Sequence, residues 1–113
     1  MREYSIVLPT HDNDGLCLEA VHKSLKLELI SLFSGYSATA QTGGWVNAEG
    51  ELFEEPSIRY TVAAVSATMA LTRISEAAAK TIIHLAIKYG IAAKQQAMYM
   101  VIDGTVEILT IGE

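Results

Sequence analysis

Hydrophobic positions change their period several times along the 113 residues, and each change predicts an element. Tyr4 to Leu8 is a short β-rich run closed by Pro9, which predicts a first strand. Thr10 to Gly15 is a polar turn in which Asn13 or Asp14 is placed to cap a following helix. Leu18, Val21, Leu25, Leu29 and Leu32 then recur at spacings of 3, 4, 4 and 3. That is one apolar stripe of a helix reaching Phe33. Lys23, Lys26 and Glu28 fall on its other face, and Gly35 is the expected C-cap.

Tyr36 to Val46 predicts a second strand, loosened by Gly43 and Gly44. Asn47 to Gly50 is a turn, and Phe53 to Val65 is a third strand with Pro56 near its start. In it Ile58, Tyr60, Val62 and Ala64 alternate with Arg59, Thr61, Ala63 and Val65, the period of two that a sheet requires. Together these segments form a hairpin with a polar tip. Ser66 or Thr68 is the expected cap of a second helix. Its buried stripe is Leu71, Ile74, Ala78, Ile82, Leu85 and Tyr89, and Gly90 is its expected stop. Gln96 to Ile102 predicts a fourth strand, Asp103-Gly104 a two-residue hairpin turn, and Val106 to Ile111 a short fifth strand.

This order predicts an α+β fold in one domain over residues 1–113: a ferredoxin-like βαββαβ sandwich with an extra C-terminal strand. Two helices cover one face of such a sheet. The uncovered face is expected to carry Ile6, Leu8 and part of the Ala97 to Ile102 run.

Composition sharpens this picture. Half of the residues are hydrophobic, a high share for a small domain, and a subunit interface is the simplest place for the surplus apolar surface. A membrane is not expected. The longest apolar run, Ala77 to Ala93, is broken by Lys80, His84 and Lys88. No signal peptide is expected either, since Arg2 and Glu3 are followed by five residues before Pro9. A formal charge of −5 disfavours nucleic acid as a partner. The single cysteine, Cys17, allows no internal disulfide and suits a reducing cytoplasm. No ligand spacing for a structural metal is present.

Familiar catalytic patterns are missing: there is no GxSxG and no P-loop. Cys17 is expected inside the first helix as a buried, inert thiol, and His22 and His84 as helix residues with structural roles. His11, in the polar turn, is better placed for chemistry than the helix histidines, although solvation of the turn is the simpler account of it. Thr42 to Pro56 is the unusual segment. It holds the one tryptophan, two adjacent glycines and four carboxylates. Glycines let a ligand approach the backbone closely, and an indole offers a flat face to a purine or a cation. Glu54 and Glu55 are consecutive on a strand and therefore point to opposite faces. Taken alone, the segment also fits a solvated hairpin tip with a charged, aggregation-resistant edge.

The same segment resembles the phage-encoded S-adenosylmethionine (SAM) lyases, also described as SAM hydrolases. The likeness lies in Thr42-Gly43-Gly44-Trp45, where that family has a Thr-Gly-x-aromatic turn. It continues in Glu54-Glu55 and the β-run from Ser57 to Val62, and the order of elements agrees along the chain. The resemblance implies a PII-like homotrimer that binds SAM between subunits and needs no metal or cofactor. It implies intramolecular cleavage of SAM to 5′-methylthioadenosine and homoserine lactone in a host cytoplasm, as a counter to restriction. It assigns Glu55 a catalytic role and makes Thr42, Gly43, Gly44, Trp45, Glu54 and Asp103 substrate-binding. Trp45 stands where the family has tyrosine. The glutamine implied near the end of strand four has no clear counterpart: Gln95 and Gln96 come earlier, and Asp103 falls nearest. Two other functions fit the sequence: a non-catalytic PII-like module that binds an adenine-containing ligand, and an interaction protein with no small-molecule site.

Overall fold

The computed structural model describes residues 2–46, 48–64, 71–95, 97–102 and 104–111. Its elements are β1 (Arg2–Pro9), α1 (Glu19–Phe33), β2 (Ser37–Val46), β3 (Leu52–Ala64), α2 (Leu71–Ala92), β4 (Ala97–Ile102) and β5 (Thr105–Thr110). The strands form one antiparallel sheet in the order β2-β3-β1-β4-β5. The first four strands have the ferredoxin-like order, and β5 extends the β4 edge. Gly104, at φ +82°, turns the two-residue connection between β4 and β5.

Strand alternation builds the core. Tyr4, Ile6 and Leu8 of β1, Tyr60 and Val62 of β3, and Met98 and Met100 of β4 face the helices. There they meet Leu18, Leu25 and Leu29 at α1 and Ala78, Ile82, Leu85, Ala86 and Tyr89 of α2. Burial of each large aliphatic side chain contributes about 1.5–3 kcal/mol. Ile6 and Leu8 are thus on the covered face, contrary to the sequence expectation, at 1% and 0% exposure. The cause is topological: β1 is central, and Ile6 pairs with Tyr60 on one side and Met100 on the other. The open face instead receives Ser5, Val7, Arg59, Thr61, Tyr99 and Val101, with Val106 and Ile108 from β5. On it the Ser5 and Thr61 hydroxyls hydrogen-bond at 2.9 Å.

Helix ends differ from expectation for identifiable reasons. Neither Asn13 nor Asp14 caps α1. The Asp12 carboxylate accepts the N–H groups of Asp14 and Leu16, each at 2.9 Å, and so organises the turn itself. The helix then starts at Glu19, and Cys17 lies before it, exposed, in a short bridge with His11. Buried positions of α1 run Leu18, His22, Leu25, Leu29, so His22 takes the place expected of Val21, and Leu32 is exposed. Ser34, not Gly35, is the left-handed C-cap, at φ 69°.

Gly90 does not stop α2, which continues to Ala92. A Cβ there would lie 2.0 Å from Ile111 Cδ1 and 2.7 Å from Met98 Cγ, so Gly90 permits the close approach of the sheet. The stop is a Schellman motif at Lys94, with φ 57°: Gln95 N–H donates to the Gly90 carbonyl and Lys94 N–H to that of Ile91. The expected caps Ser66 and Thr68 lie outside the described residues. No helix among the described residues is long and apolar enough to cross a membrane.

The pairing of β1 with β3 ends at Pro9 and Ser57. Thr10 N–H still donates to the Pro56 carbonyl at 3.1 Å, and beyond this base residues 42–46 and 52–55 run as an exposed two-stranded arm. The molecule is accordingly elongated, at 50 × 27 × 26 Å.

Candidate functional site

Where the arm leaves the body, the open face of the sheet is hollowed into a cleft of about 400 Å³. Alternation decides which side chains line it. Gln41, Gly43 and Trp45 of β2 stand opposite Ser57, Glu55 and Phe53 of β3, on the face turned away from the helices. Pro9 closes one side, and Gln95, Ala97 and Tyr99 close the side nearest β4.

Trp45 stacks on Phe53 with ring centroids 4.7 Å apart and planes 19° from parallel. Trp45 remains 52% exposed and lines the cleft, so its indole, backed by Phe53, presents a flat aromatic surface there. Gly43 lies directly across from Glu55, and a Cβ built on it meets nothing within 4 Å. Neither Gly43 nor Gly44 has a positive φ. Backbone strain therefore does not require glycine here; its absent side chain leaves a notch facing the Glu55 carboxylate. Arg59 lies two positions beyond Ser57 on the same face. Its Nε donates to Gln41 Oε1 at 3.3 Å, and its guanidinium sits 5.4 Å from the centre of the Tyr99 ring. Aromatic surface, carboxylate and guanidinium thus follow one another along one face of β3.

Of the residues singled out in the sequence, Gly43, Gly44, Trp45 and Glu55 line the cleft. Thr42 and Glu54 do not: they are one position out of phase and belong to the opposite face. Asp103 lies outside the described residues. Sequence reasoning missed Gln41, Ser57, Arg59, Tyr99 and Gln95. For the first three, the period of two through Gly43 and Glu55 was the available signal. Tyr99 needed the β1–β4 pairing, and Gln95, set aside as too early, is carried into the cleft by the turn that ends α2.

The histidines lie apart from this cleft. His11 Nδ1 and the Thr10 hydroxyl share a hydrogen bond at 2.8 Å, and that hydroxyl also donates to the Pro56 carbonyl at 3.4 Å. Buried His22 bonds the Pro9 carbonyl through Nε2 at 2.8 Å and the Tyr60 hydroxyl through Nδ1 at 2.5 Å. A carbonyl only accepts, so Nε2 carries the proton and Nδ1 accepts from Tyr60. Burial lowers the His22 pKa, Pro9 opposes this, and Lys26 adds to it. Burial also pushes the Tyr60 phenol up to about 12. Cys17, Thr10 and Lys26 share a smaller hollow of about 250 Å³ beside this pair. Both nitrogens of its histidine are already engaged, so His22 is not free to act there as a base.

No family model and no curated protein matches the sequence. Solved structures do match the fold. A phage SAM lyase in complex with S-methyl-5′-thioadenosine superposes with a TM-score of 0.69 at 15% identity, covering 96% of this chain and 88% of that one. A phage SAM lyase in its apo state gives 0.57 at 18% identity, covering 98% and 88%. The chain therefore shares the fold of phage SAM lyases, and at these identities the likeness is one of fold.

Proposed function

We propose that the protein is a SAM lyase whose site is the cleft at the base of the hairpin arm. One observation carries this reading: Glu55, the residue that the sequence resemblance marks as catalytic, lines a cleft in company with a flat aromatic stack and a glycine notch, on the same fold as the phage lyases. That one of those lyases holds S-methyl-5′-thioadenosine is consistent with it.

In the proposed reaction a carboxylate oxygen of SAM attacks the substrate's own γ-carbon. The carbon–sulfur bond breaks, and its electron pair returns to the sulfonium, leaving neutral 5′-methylthioadenosine. The other product is homoserine lactone; no water, metal or cofactor enters the balance. Such chemistry asks a protein mainly to fold the substrate into a near-attack shape and to manage its charges. Trp45 and Phe53 offer a stacking surface for adenine. Glu55 is suited to the ribose hydroxyls or to a cationic group, and it must stay apart from the attacking carboxylate, which it would repel.

The proposed assembly is a homotrimer joined through open sheet faces, so that the cleft sits at a subunit seam. The exposed Val106 and Ile108 of β5 and Trp45 and Phe53 of the arm are the open-face surfaces such packing would cover. A phage counter to restriction remains the proposed biological setting. The test is incubation with SAM followed by chromatography. Accumulating methylthioadenosine with turnover is expected. Binding of adenosyl compounds without product would favour the non-catalytic module, and no binding at all would overturn both.

A further inference from the structure

We propose that Arg59 anchors the carboxylate of the substrate's amino-acid tail and so sets the direction in which the ligand lies in the cleft. The inference rests on the SAM reading above and assigns a residue that the reading leaves without a role. Glu55, Ser57 and Arg59 occupy alternate positions of β3 on the open face. At about 3.3 Å per residue, the first and last are ~13 Å apart along the strand, close to the length of an extended nucleoside bearing an amino-acid tail. The cleft is therefore graded: aromatic surface and Glu55 at the arm, a small serine between, and a guanidinium at the body. A ligand with an aromatic ring at one end and a carboxylate at the other has one matching direction. Its ring lies toward Trp45 and its carboxylate toward Arg59.

The state of Arg59 suits this task. Its Nε is committed to Gln41 and its plane is held beside Tyr99, which fixes the side chain. No carboxylate among the described residues pairs with it. Both terminal nitrogens thus keep donors for an oxyanion. The reaction then dictates a kinetic signature. The carboxylate is fully charged in the bound substrate and loses that charge as it closes on the γ-carbon. Arg59 consequently holds the ground state at least as tightly as the transition state, so its loss raises KM and leaves kcat undiminished.

The experiment compares two probes by calorimetry on the wild type, Arg59→Gln and Arg59→Lys. S-adenosylhomocysteine carries the amino-acid tail; methylthioadenosine lacks it. Arg59→Gln is expected to weaken S-adenosylhomocysteine by about 10–100-fold, the scale of a lost charge-assisted hydrogen bond, and to leave methylthioadenosine unchanged. Arg59→Lys, which keeps the charge and loses the fork, should fall between. With SAM, Arg59→Gln should raise KM by a comparable factor with kcat equal to or above that of the wild type. Equal loss for both probes, no loss for either, or a fall in kcat at constant KM would overturn the assignment. So would a drop in the particle mass of both variants by light scattering, which would make Arg59 an interface residue. Wild-type protein that binds neither probe removes the adenosyl reading itself, and the carboxylate assignment with it.

Discussion

Glu54 and Glu55 are neighbours in the chain and face opposite sides of the sheet. Gly44 pairs with Glu54 and Gly43 with Glu55, and of the two acids Glu55 lines the cleft. Glu55→Gln keeps the shape and removes the charge, so turnover of SAM should fall by about 10²-fold or more, the scale of a positioned electrostatic group. Glu54→Gln should have a clearly smaller effect. Equal losses in parallel assays would mean that the strand is bulged in solution. Trp45, the single indole, reports on the same cleft. Ligand should quench its emission, and Trp45→Ala should weaken adenosyl binding by about 1–3 kcal/mol. Emission unchanged across a saturating titration would make Trp45 merely the tip of a hairpin.

At the scale of elements, two residues show what was legible in the sequence and what was not. Period two named the strands and placed Glu55 on a different face from Glu54, because alternation is a local property. Which face was open depended on β1 lying between β3 and β4, a fact that no local pattern contains; hence the misplacement of Ile6 and Leu8. Gly90 misled for a related reason. Its cause is not a helix end but Met98 and Ile111 packed against it from β4 and just beyond β5. Gly90→Ala should therefore destabilise the fold by about 1–3 kcal/mol through overpacking, measured by chemical denaturation. Gly43→Ala should cost nothing comparable while reducing ligand affinity.

His22 joins α1 to the end of β1 and to β3, and it is neutral in the fold. Its lowered pKa means that the unfolded chain takes up a proton nearer the ordinary 6.5, before the native state does. The stabilisation is complete above that value and is lost as pH falls toward the lower native pKa. The melting temperature should drop as pH falls below the ordinary histidine value of about 6.5, and His22→Gln should flatten that slope. An identical slope in the variant would contradict the protonation state assigned here.

At the scale of the whole molecule, the arm and the open sheet face leave apolar side chains uncovered, among them Trp45, Val46, Leu52, Phe53, Val106 and Ile108. An isolated two-stranded ribbon is marginal in water, so both the arm and the cleft at its base gain definition if neighbouring copies pack against them. Light scattering should give about three times the 12.2 kDa chain mass. A monomer at micromolar concentration would confine the site to one chain.

The chemistry itself is tested most directly by incubating the protein with SAM in heavy-oxygen water and weighing the products by mass spectrometry. If the substrate's own carboxylate is the nucleophile, methylthioadenosine should appear together with homoserine lactone that carries no label. Any homoserine formed later by opening of the lactone should carry label in its carboxyl group and none in its γ-hydroxyl. Label in the γ-hydroxyl would make water the nucleophile, and SAM left intact would contradict the lyase reading altogether.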